Sequence, residues 1–502
     1  MTAAGKRKGA PALTSKGRAL LRNAYTRPMD QLPHWIDGQA REPGSGRWLD
    51  VHEPATGAAF ARVAAGDAAD VDAAVEAAEA AFPAWSGLPS FERARWLDTL
   101  ASALESRLDA FACAESRDGG KPIRLAREAE IPRAVANLRF FAHAATQFAS
   151  ESHHGQAGLN YTLRAPLGVV GTISPWNLPL YLFTWKIAPA LAAGNTVVAK
   201  PSEVTPLTAT MLGALAAEIG FPPGVLNVVH GAGPDVGEAI VAHPRIGAVS
   251  FTGSTAVGRR IAGIAGPMLK KVSLELGGKN PTLVFADSDW RAQLEVLVRS
   301  AFQNSGQICL CGSRILVERG AYAEVRDALV ERAIRLRAGE PGDEATEFGP
   351  LVSQAHFDKV MAAIARARDE GGRVLCGGDA LPRPGWYVAP TVIEGLGPDC
   401  ASNREEIFGP VVTLQPFDDD AQALALANAG DYGLAASIWT RDLPRAHRLA
   451  ARLDVGIVWI NAWLMRDLRT PFGGSGQSGL GREGGMEAMR FFTEPKNVGI
   501  AL

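Results

Sequence analysis

Leu167-Gly168-Val169-Val170-Gly171-Thr172-Ile173 opens the part of the chain that decides the fold. It is the first of five short runs rich in β-branched residues, at 167–173, 195–199, 225–229, 247–251 and 271–274. Helical patterns separate these runs, at 185–193, 206–219, 235–243 and 255–265. Strands that alternate with helices at this spacing predict an α/β fold, in which a parallel sheet has helices on both faces. Such sheets bind ligands at the carboxyl ends of their strands.

The flanking regions extend the α/β pattern. Three helical patterns precede the strands: 71–82 with Asp70 as its expected cap, 90–108 with Ser90 as its expected cap, and 131–148. After Gly277-Gly278 the alternation restarts with a strand over 281–285 and a helix over 289–303. It continues to about residue 461, which predicts a second α/β domain. The stretch 470–479 is too rich in glycine for a regular element and is expected to form a shaped loop.

The bulk composition is that of an ordinary globular protein. The chain has 502 residues, 47% of them apolar and 21% charged, and this length favours two or three domains. The net charge of -2 gives no reason to expect nucleic acid or a membrane surface as partner. Five cysteines without a framework spacing favour a reducing cytoplasm. Seven Lys or Arg and no acid in the first 29 residues predict a basic flexible tail over residues 1–30, with a transit peptide as the alternative.

Cys309 is the first candidate for chemistry. It lies in the stretch 302–314, just past a glycine and a polar run and in front of a strand-like run. Such a loop can hold a thiol at the mouth of a cleft, where it acts as a nucleophile. The alternative is a cysteine that packs as a small hydrophobe. Cys311 is too close to Cys309 for the usual metal-binding spacing, so we interpret Cys311 as structural and expect no metal site.

Glu275 and Asn177 each follow a predicted strand. Burial at a strand end would raise the pKa of the Glu275 carboxyl, which suits a general base near neutral pH. Its alternative is a paired structural carboxylate. The Asn177 amide, between two prolines, can donate a hydrogen bond to a developing oxyanion, and its alternative is a turn-forming asparagine.

Residues that follow two further predicted strands are candidates for binding a dinucleotide. Glu203, three residues after Lys200, can accept hydrogen bonds from an adenosine ribose and would repel the extra phosphate of NADP. The alternative is a solvated loop acid. Gly253 and Ser254 open a predicted helix, whose N-terminus favours a pyrophosphate. The alternative there is a simple helix cap.

Six of these motifs occur in the order found in the NAD(P)-dependent aldehyde dehydrogenase superfamily, which the chain resembles from about residue 32 to its C-terminus. They are Pro175-Trp176-Asn177, Lys200-Pro201-Ser202-Glu203, Phe251-Thr252-Gly253-Ser254, Glu275-Leu276-Gly277-Gly278-Lys279, Gly306-Gln307-Ile308-Cys309 and Glu405-Glu406-Ile407-Phe408-Gly409-Pro410, closed by Pro471-Phe472-Gly473-Gly474.

The resemblance implies NAD-dependent oxidation of an aldehyde to a carboxylic acid by a homodimer or homotetramer. Cys309 would be the nucleophile, Glu275 the base that activates the deacylating water, and Asn177 with the Cys309 N–H the oxyanion hole. The residues implied to bind NAD are Trp176, Lys200, Glu203, Gly253, Ser254, Leu276, Glu406 and Phe408.

The resemblance also implies a division into domains. A Rossmann-like NAD-binding domain would cover 31–148 and 167–277, and a catalytic domain 278–477. A small β oligomerisation flap would consist of 149–166 and 478–502.

Within the superfamily, the stretches 309–314 and 463–468 look most like the muconic semialdehyde dehydrogenases. These oxidise 2-aminomuconate or 2-hydroxymuconate 6-semialdehyde, whose remote carboxylate calls for a guanidinium that binds it bidentately. Arg466 and Arg127 are the expected cations, and surface pairing with Asp467 and Glu128 is the alternative. Another small aromatic or aliphatic aldehyde is the alternative substrate, and a non-catalytic protein with the same fold is the alternative of another class.

Overall fold

The computed structural model describes residues 30–501. The predicted basic tail therefore lies outside the described residues, apart from Asp30, which begins the first strand. In the part of the chain from 30 to 501, no helix combines the length and the apolar character needed to cross a membrane.

An eight-stranded sheet forms one half of the molecule. Its five central strands are parallel and coincide with the five predicted runs; in sheet order they are Lys271–Glu275, Ile246–Thr252, Val169–Ile173, Thr196–Lys200 and Leu226–Val228. Antiparallel strands complete the edges: Gly479–Leu480 on one side, His34–Ile36 and Gln39–Arg41 on the other. Every residue of Val169–Ile173 and Thr196–Lys200, the two strands in the middle of the eight, is buried, as expected when helices cover both faces of the sheet. The predicted α/β class is confirmed.

Helices cover both faces of this sheet. One face packs against Ala68–Ser86, the π-turn Gly233–Gly237 with Glu238–Ala242, and Thr255–Ala265. The other face packs against Ser90–Glu105, Ile131–Gln147, Pro179–Ala192 and Leu207–Glu218. Three further elements lead into the second of these helices, namely Leu108–Gly119, Ile123–Leu125 and the π-turn Ala126–Glu130.

Two predicted helix caps are wrong by a few residues. Asp67, and not Asp70, caps the first helix. The Asp70 carboxylate lies in the first turn and accepts the Asp67 N–H at 3.1 Å, so the two acids form a capping box. Ser90 is the first residue of its helix, after Pro89, and makes no cap hydrogen bond; that helix ends at Glu105.

A seven-stranded sheet forms the other half, and it confirms the predicted second α/β region. In sheet order its strands are Arg373–Cys376, Thr391–Glu394, Val411–Phe417, Arg314–Glu318, Pro281–Val284, Ala435–Trp439 and Ile457–Ile460. All neighbours pair in parallel except the first two. The helices of this half are Leu294–Phe302, Gln303–Gly306, Arg319–Ile334, Gln354–Asp369, Ala401–Arg404, Asp420–Ala427 and Leu443–Ala450.

Three small sheets lie outside these two halves. Ser152–Gly155, Gly158–Pro166 and Thr493–Ala501 form an antiparallel sheet, and its last two strands pair over nine residues. Asp30–Leu32, Ala59–Ala64 and Trp48–His52 form another. Tyr432–Gly433 pairs with Ser475–Gly476, and the helix Gly485–Phe491 precedes the last strand.

Candidate active site

The carboxyl ends of four parallel strands lie side by side at one edge of the eight-stranded sheet. The register pairs Ile173 with both Lys200 and Phe251, and it pairs Thr252 with Glu275. Each candidate motif of this half follows one of these ends. Motifs that are far apart in the sequence are therefore neighbours in space, as parallel topology requires.

A cleft of about 200 Å³ opens along this edge, which we call the strand-end cleft. Its wall contains six of the eight residues predicted to bind NAD, together with Asn177 and Cys309: Trp176, Gly253, Ser254, Leu276, Glu406 and Phe408. The Trp176 ring lies 5.3 Å from the Phe408 ring at 86° and 5.0 Å from the ring of His356. Burial lowers the pKa of His356 to about 4, so this ring is neutral near pH 7. His356 is not among the residues predicted from the sequence, and no pattern in the sequence marks it.

The other two residues predicted to bind NAD form an ion pair at the end of the neighbouring strand. Lys200 Nζ lies 2.9 Å from Glu203 Oε2. Burial raises the pKa of the Glu203 carboxyl, but the Lys200 ammonium and the backbone hydrogen bonds at Glu203 and Gly233 together outweigh this effect, and the net shift is downward. Glu203 is therefore an anionic acceptor near neutral pH, available to ribose hydroxyls and repulsive to an added phosphate.

The strand-end cleft fits a dinucleotide. Ser254 caps the 11-residue helix Thr255–Ala265, and Gly253 and Ser254 both line the cleft. The unpaired N–H groups at this helix N-terminus favour a pyrophosphate. Glu203 would hold the adenosine ribose of the dinucleotide. Glu406 and Phe408 line the strand-end cleft together with Cys309.

Cys309 lies where two cavities meet, since it lines both the strand-end cleft and a second cavity of about 200 Å³, the inner cavity. The turn before it contains Asn304 at φ 52° and Gly306 at φ 72°. A Cβ on Gly306 would lie 2.0 Å from the Gly409 carbonyl oxygen, so only glycine fits there. Burial raises the pKa of the Cys309 thiol, and the Glu406 and Glu275 carboxylates raise it further. The resting thiol is therefore protonated and requires a base.

Asn177 is held against the Cys309 loop. Its Nδ2 donates to the Gln307 carbonyl at 3.0 Å, and one N–H of the amide remains for another acceptor. Its own carbonyl accepts from Lys121 Nζ and from Asn304 Nδ2, each at 3.1 Å. Among residues 30–501, the Cys309 N–H donates to no protein group, which leaves it available to an oxyanion.

Glu275 lines the inner cavity with a carboxylate that is only 3% exposed and whose two oxygens are buried without a hydrogen-bond partner. A Cβ on Gly473 would lie 2.5 Å from Glu275 Oε1, so the glycine-rich loop is shaped around this carboxylate. Burial raises the pKa of Glu275 well above its ordinary value, and the nearby Glu483 carboxylate adds to the effect. A carboxyl of this kind can exchange a proton near neutral pH.

Lys186 and Glu483, next to Glu275, were missed by the sequence analysis. Lys186 Nζ lies 2.7 Å from Glu483 Oε1, and Ser250 Oγ contacts both groups at 3.0 and 2.9 Å. A signal for Lys186 exists in the sequence, because it is a lone charge in the otherwise apolar helix Pro179–Ala192. No comparable signal marks Glu483.

The inner cavity has a mostly apolar wall that includes Arg466. The Arg466 guanidinium lies 4.0 Å from the Phe472 ring and 5.6 Å from the Trp185 ring. Its expected alternative partner, Asp467, instead pairs with Arg469 at 2.6 Å. Arg466 thus brings a positive charge into the wall of the cavity that holds Cys309.

The structure does not bring Arg127 to this cavity. Its guanidinium pairs with Asp109 at 3.1 Å and with Glu344 at 2.5 Å, and it is not part of the inner cavity wall, so its expected substrate contact stays a prediction. Arg133 takes that place: it lines the inner cavity, and its Nε and Nη2 are buried without a hydrogen-bond partner. Arg127 lies within the π-turn Ala126–Glu130, and Arg133 lies in the first turn of the helix that follows it.

Cys311 packs as expected of a structural cysteine. It is 6% exposed, and burial raises its pKa to about 12. The structure, over the residues that it describes, contains no group of three or more His, Cys, Asp or Glu side chains placed to bind a metal ion.

Comparison with known proteins agrees with this geometry. The model of the aldehyde dehydrogenase family matches residues 41–498. A 2-aminomuconic semialdehyde dehydrogenase of Danio rerio is 49% identical, over 90% of this chain and 95% of its own. A 2-hydroxymuconic semialdehyde dehydrogenase of Pseudomonas sp. (strain CF600) is 46% identical, over 94% of this chain and all of its own. The NAD+ complex of an aldehyde dehydrogenase from Bacillus cereus superposes with a TM-score of 0.93 at 38% identity, covering 98% of this chain and 99% of that one. The chain belongs to the aldehyde dehydrogenase family and is an NAD-dependent oxidoreductase.

Proposed function

We propose that this enzyme oxidises a semialdehyde that carries a carboxylate remote from its aldehyde, such as 2-hydroxymuconate or 2-aminomuconate 6-semialdehyde. The observation that carries the proposal is the pair of cations in the inner cavity. Arg133 and Arg466 line the same wall as Cys309, and two nitrogens of Arg133 have no partner. The names of the two muconic relatives support the same substrate class.

A buried guanidinium without a carboxylate is costly, and an anionic ligand removes that cost. Burial lowers the pKa of Arg133, while Tyr181 opposes the shift and the Arg466 charge adds to it. A substrate carboxylate would restore the missing hydrogen bonds with charge-assisted ones. An uncharged aldehyde would leave the two unpaired nitrogens of Arg133 without a charged acceptor, so the cavity selects for an anionic substrate.

The proposed chemistry begins at Cys309. The protonated thiol gives its proton to a base, and Glu275, with its raised pKa, is the buried carboxylate placed to accept it. The sulfur then attacks the aldehyde carbon. The oxygen that becomes negative is stabilised by the remaining N–H of Asn177 and by the Cys309 N–H. NAD, held by residues of the strand-end cleft, would supply the acceptor for the hydride, and loss of hydride from the adduct leaves a thioester on Cys309.

Glu275 gives the proton from Cys309 to solvent and is again a carboxylate. It then takes a proton from water, whose oxygen attacks the thioester carbon; the C–S bond breaks, the acid is released, and the Cys309 sulfur takes up a proton again. The neighbouring pair Lys186–Glu483 fixes the electrostatic environment of this base. The Glu483 carboxylate raises the pKa of Glu275, and the Lys186 ammonium limits the rise.

We also propose an assembly and a location. The three-stranded sheet built from Ser152–Gly155, Gly158–Pro166 and Thr493–Ala501 would form the contact of a homodimer or homotetramer, because Leu163 and Ile500 on it are each 48% exposed. The domain limits expected from the resemblance are part of this proposal. All five cysteines are free, which favours a reducing compartment such as the cytoplasm.

The substrate proposal is tested with Arg466→Ala. Initial rates of NAD reduction are measured with a muconate-type semialdehyde and with an uncharged aldehyde of similar length. We expect kcat/KM to fall about 10- to 100-fold for the carboxylate-bearing substrate only, the effect of one lost charged hydrogen bond. Equal losses on both aldehydes, or none on either, would show that the cavity serves another small aldehyde.

A further inference from the structure

A buried charged cluster lies directly behind Asn177. It consists of Glu115, Lys121 and Glu130, which are 0%, 2% and 4% exposed. Charged side chains are almost never buried to this extent unless they are paired. The mechanism above uses none of the three.

All three N–H groups of the Lys121 ammonium have acceptors. Nζ donates to Glu115 Oε1 at 3.4 Å, to a carboxylate oxygen of Glu130, and to the Asn177 carbonyl at 3.1 Å. Burial lowers the pKa of Lys121, but Glu130 and Glu115 together outweigh it, so the group stays charged. One of the three contacts thus goes to the peptide of the proposed oxyanion donor.

Glu115 extends the cluster to the chain that follows Asn177. Its carboxylate accepts the Thr208 hydroxyl at 2.8 Å and the Leu180 N–H at 3.4 Å. Leu180 is in the first turn of the helix that begins just after Asn177. Lys121 and Glu115 therefore hold the backbone at Asn177 and three residues later.

Glu130 forms the other end of the cluster, in the wall of the inner cavity. One of its oxygens binds Lys121, while Oε1 is buried and has no partner. Arg133 lies about one helical turn beyond it. The cluster thus runs from the substrate side of the cavity to the back of the Asn177 peptide.

We propose that Lys121 is a positioning residue for the oxyanion donor, and that Glu130 holds it from the cavity wall; this rests on the proposed role of Asn177. Lys121 and Asn304 hold the Asn177 carbonyl from two directions, so losing Lys121 leaves one support. A reacting group displaced by about 1 Å loses on the order of 100-fold in rate. Loss of Lys121 lowers kcat about 10- to 100-fold and leaves the KM values for aldehyde and NAD within about twofold.

The test uses a double-mutant cycle. Lys121→Met removes the ammonium and keeps the length of the side chain. Because it leaves two buried carboxylates without a cation, the paired variant Lys121→Met/Glu130→Gln restores the charge balance and serves as the variant that folds. Each is made alone and in an Asn177→Ala background, with thermal unfolding and NAD binding as folding checks. Arg139→Ala, which removes an exposed ion pair with Glu105, is the control.

Support would be a loss of kcat in the paired variant that disappears in the Asn177→Ala background, because Lys121 then acts only through Asn177. If Asn177→Ala lowers kcat while the folded paired variant keeps its rate, or loses the same factor in both backgrounds, the inference is overturned and the oxyanion role stands. If Asn177→Ala itself leaves kcat unchanged, the proposed oxyanion role fails and takes the inference with it.

Discussion

Arg133→Met is expected to weaken the reaction and to stabilise the protein. In the free enzyme, Nε and Nη2 of Arg133 are buried without a partner, and each such atom costs about 1–3 kcal/mol. Methionine fills similar space without a polar group. The substitution also removes the guanidinium that lies 5.7 Å from the Tyr181 ring, a contact worth about 0.5–1 kcal/mol. We therefore expect the free energy of unfolding to rise by about 1–5 kcal/mol.

Activity should change in the opposite direction. A bidentate pair between Arg133 and a substrate carboxylate would contribute about 3–6 kcal/mol, since each of its two charged hydrogen bonds is worth about 1.5–3 kcal/mol. Its loss lowers kcat/KM about 10²- to 10⁴-fold for a carboxylate-bearing semialdehyde. An uncharged aldehyde of the same length should keep its rate or gain, because the cavity has lost an uncompensated charge.

Two measurements check this prediction: NADH absorbance with the two aldehydes, and urea unfolding of the free enzyme. Arg127→Met is the matched control, because Arg127 has two carboxylate partners and lies outside the inner cavity. The reasoning is refuted if Arg133→Met is less stable than the parent, or if it loses both aldehydes by the same factor. It is also refuted if Arg127→Met reproduces the substrate-selective loss.

Glu275→Gln should slow both halves of turnover, because an amide can accept a proton neither from the Cys309 thiol nor from water: the first NADH per site and the steady rate should both slow about 10²- to 10⁴-fold, and a full burst of NADH at the parent rate would contradict this. The free energy of unfolding should fall as the pH drops below 6.5, the ordinary pKa of histidine. Burial keeps the pKa of His230 in the folded protein well below that value, so His230 binds a proton in the unfolded state but not in the folded state. The slope for this one group approaches about 1.4 kcal/mol per pH unit. Urea unfolding between pH 7.5 and pH 5 measures it, and His230→Gln should reduce the slope by about one proton; an unchanged slope would assign the effect to other groups.

The fold was largely predictable because buried parallel strands have a recognisable pattern in the sequence. Strands covered on both faces read as short continuous apolar runs, and all five central runs became strands. The helix boundaries were less predictable, because neighbouring residues can each act as the N-terminal cap of the same helix. Asp67 and Asp70 are equally good caps in isolation, and only the folded turn shows that Asp67 caps the helix while Asp70 supports it.

The candidate site was predictable where one residue follows a strand, and less so where it depends on contacts between distant elements. Asn177, Glu203 and Glu275 needed only the rule that ligands lie at strand ends. Glu483 reaches Lys186 from 297 positions away in the sequence. No periodicity or spacing encodes such a contact, because it exists only after both elements have packed.

Arg127 and Arg133 are six residues apart and have different surroundings in the folded chain. In a continuous α-helix, six residues amount to about 600° of rotation, so the two side chains would lie on different faces in any case. The π-turn Ala126–Glu130 inserts one extra residue per turn and alters that rotation further. Arg127 then meets Asp109 and Glu344, while Glu130 and Arg133 face the inner cavity. Arg127 was the expected cation and Arg133 was not among the predicted residues, because the contacts of each arginine depend on elements that are distant in the sequence.

The inner cavity also holds several buried polar atoms that have no partner within the protein. Because proteins pair nearly all buried polar atoms, a ligand can complete such a group in a cavity wall. Both oxygens of Glu275, two nitrogens of Arg133 and one oxygen of Glu130 are buried and unpaired, and all three residues line this cavity beside Cys309. An apolar wall makes each of these atoms more costly to leave unpaired. Water and an anionic aldehyde are the ligands that would satisfy all of them, because a carboxylate meets the guanidinium while water meets the carboxylates. Water and the anionic aldehyde, the two reactants that turnover at Cys309 requires, would thus supply the hydrogen bonds that the buried charges lack in the free cavity.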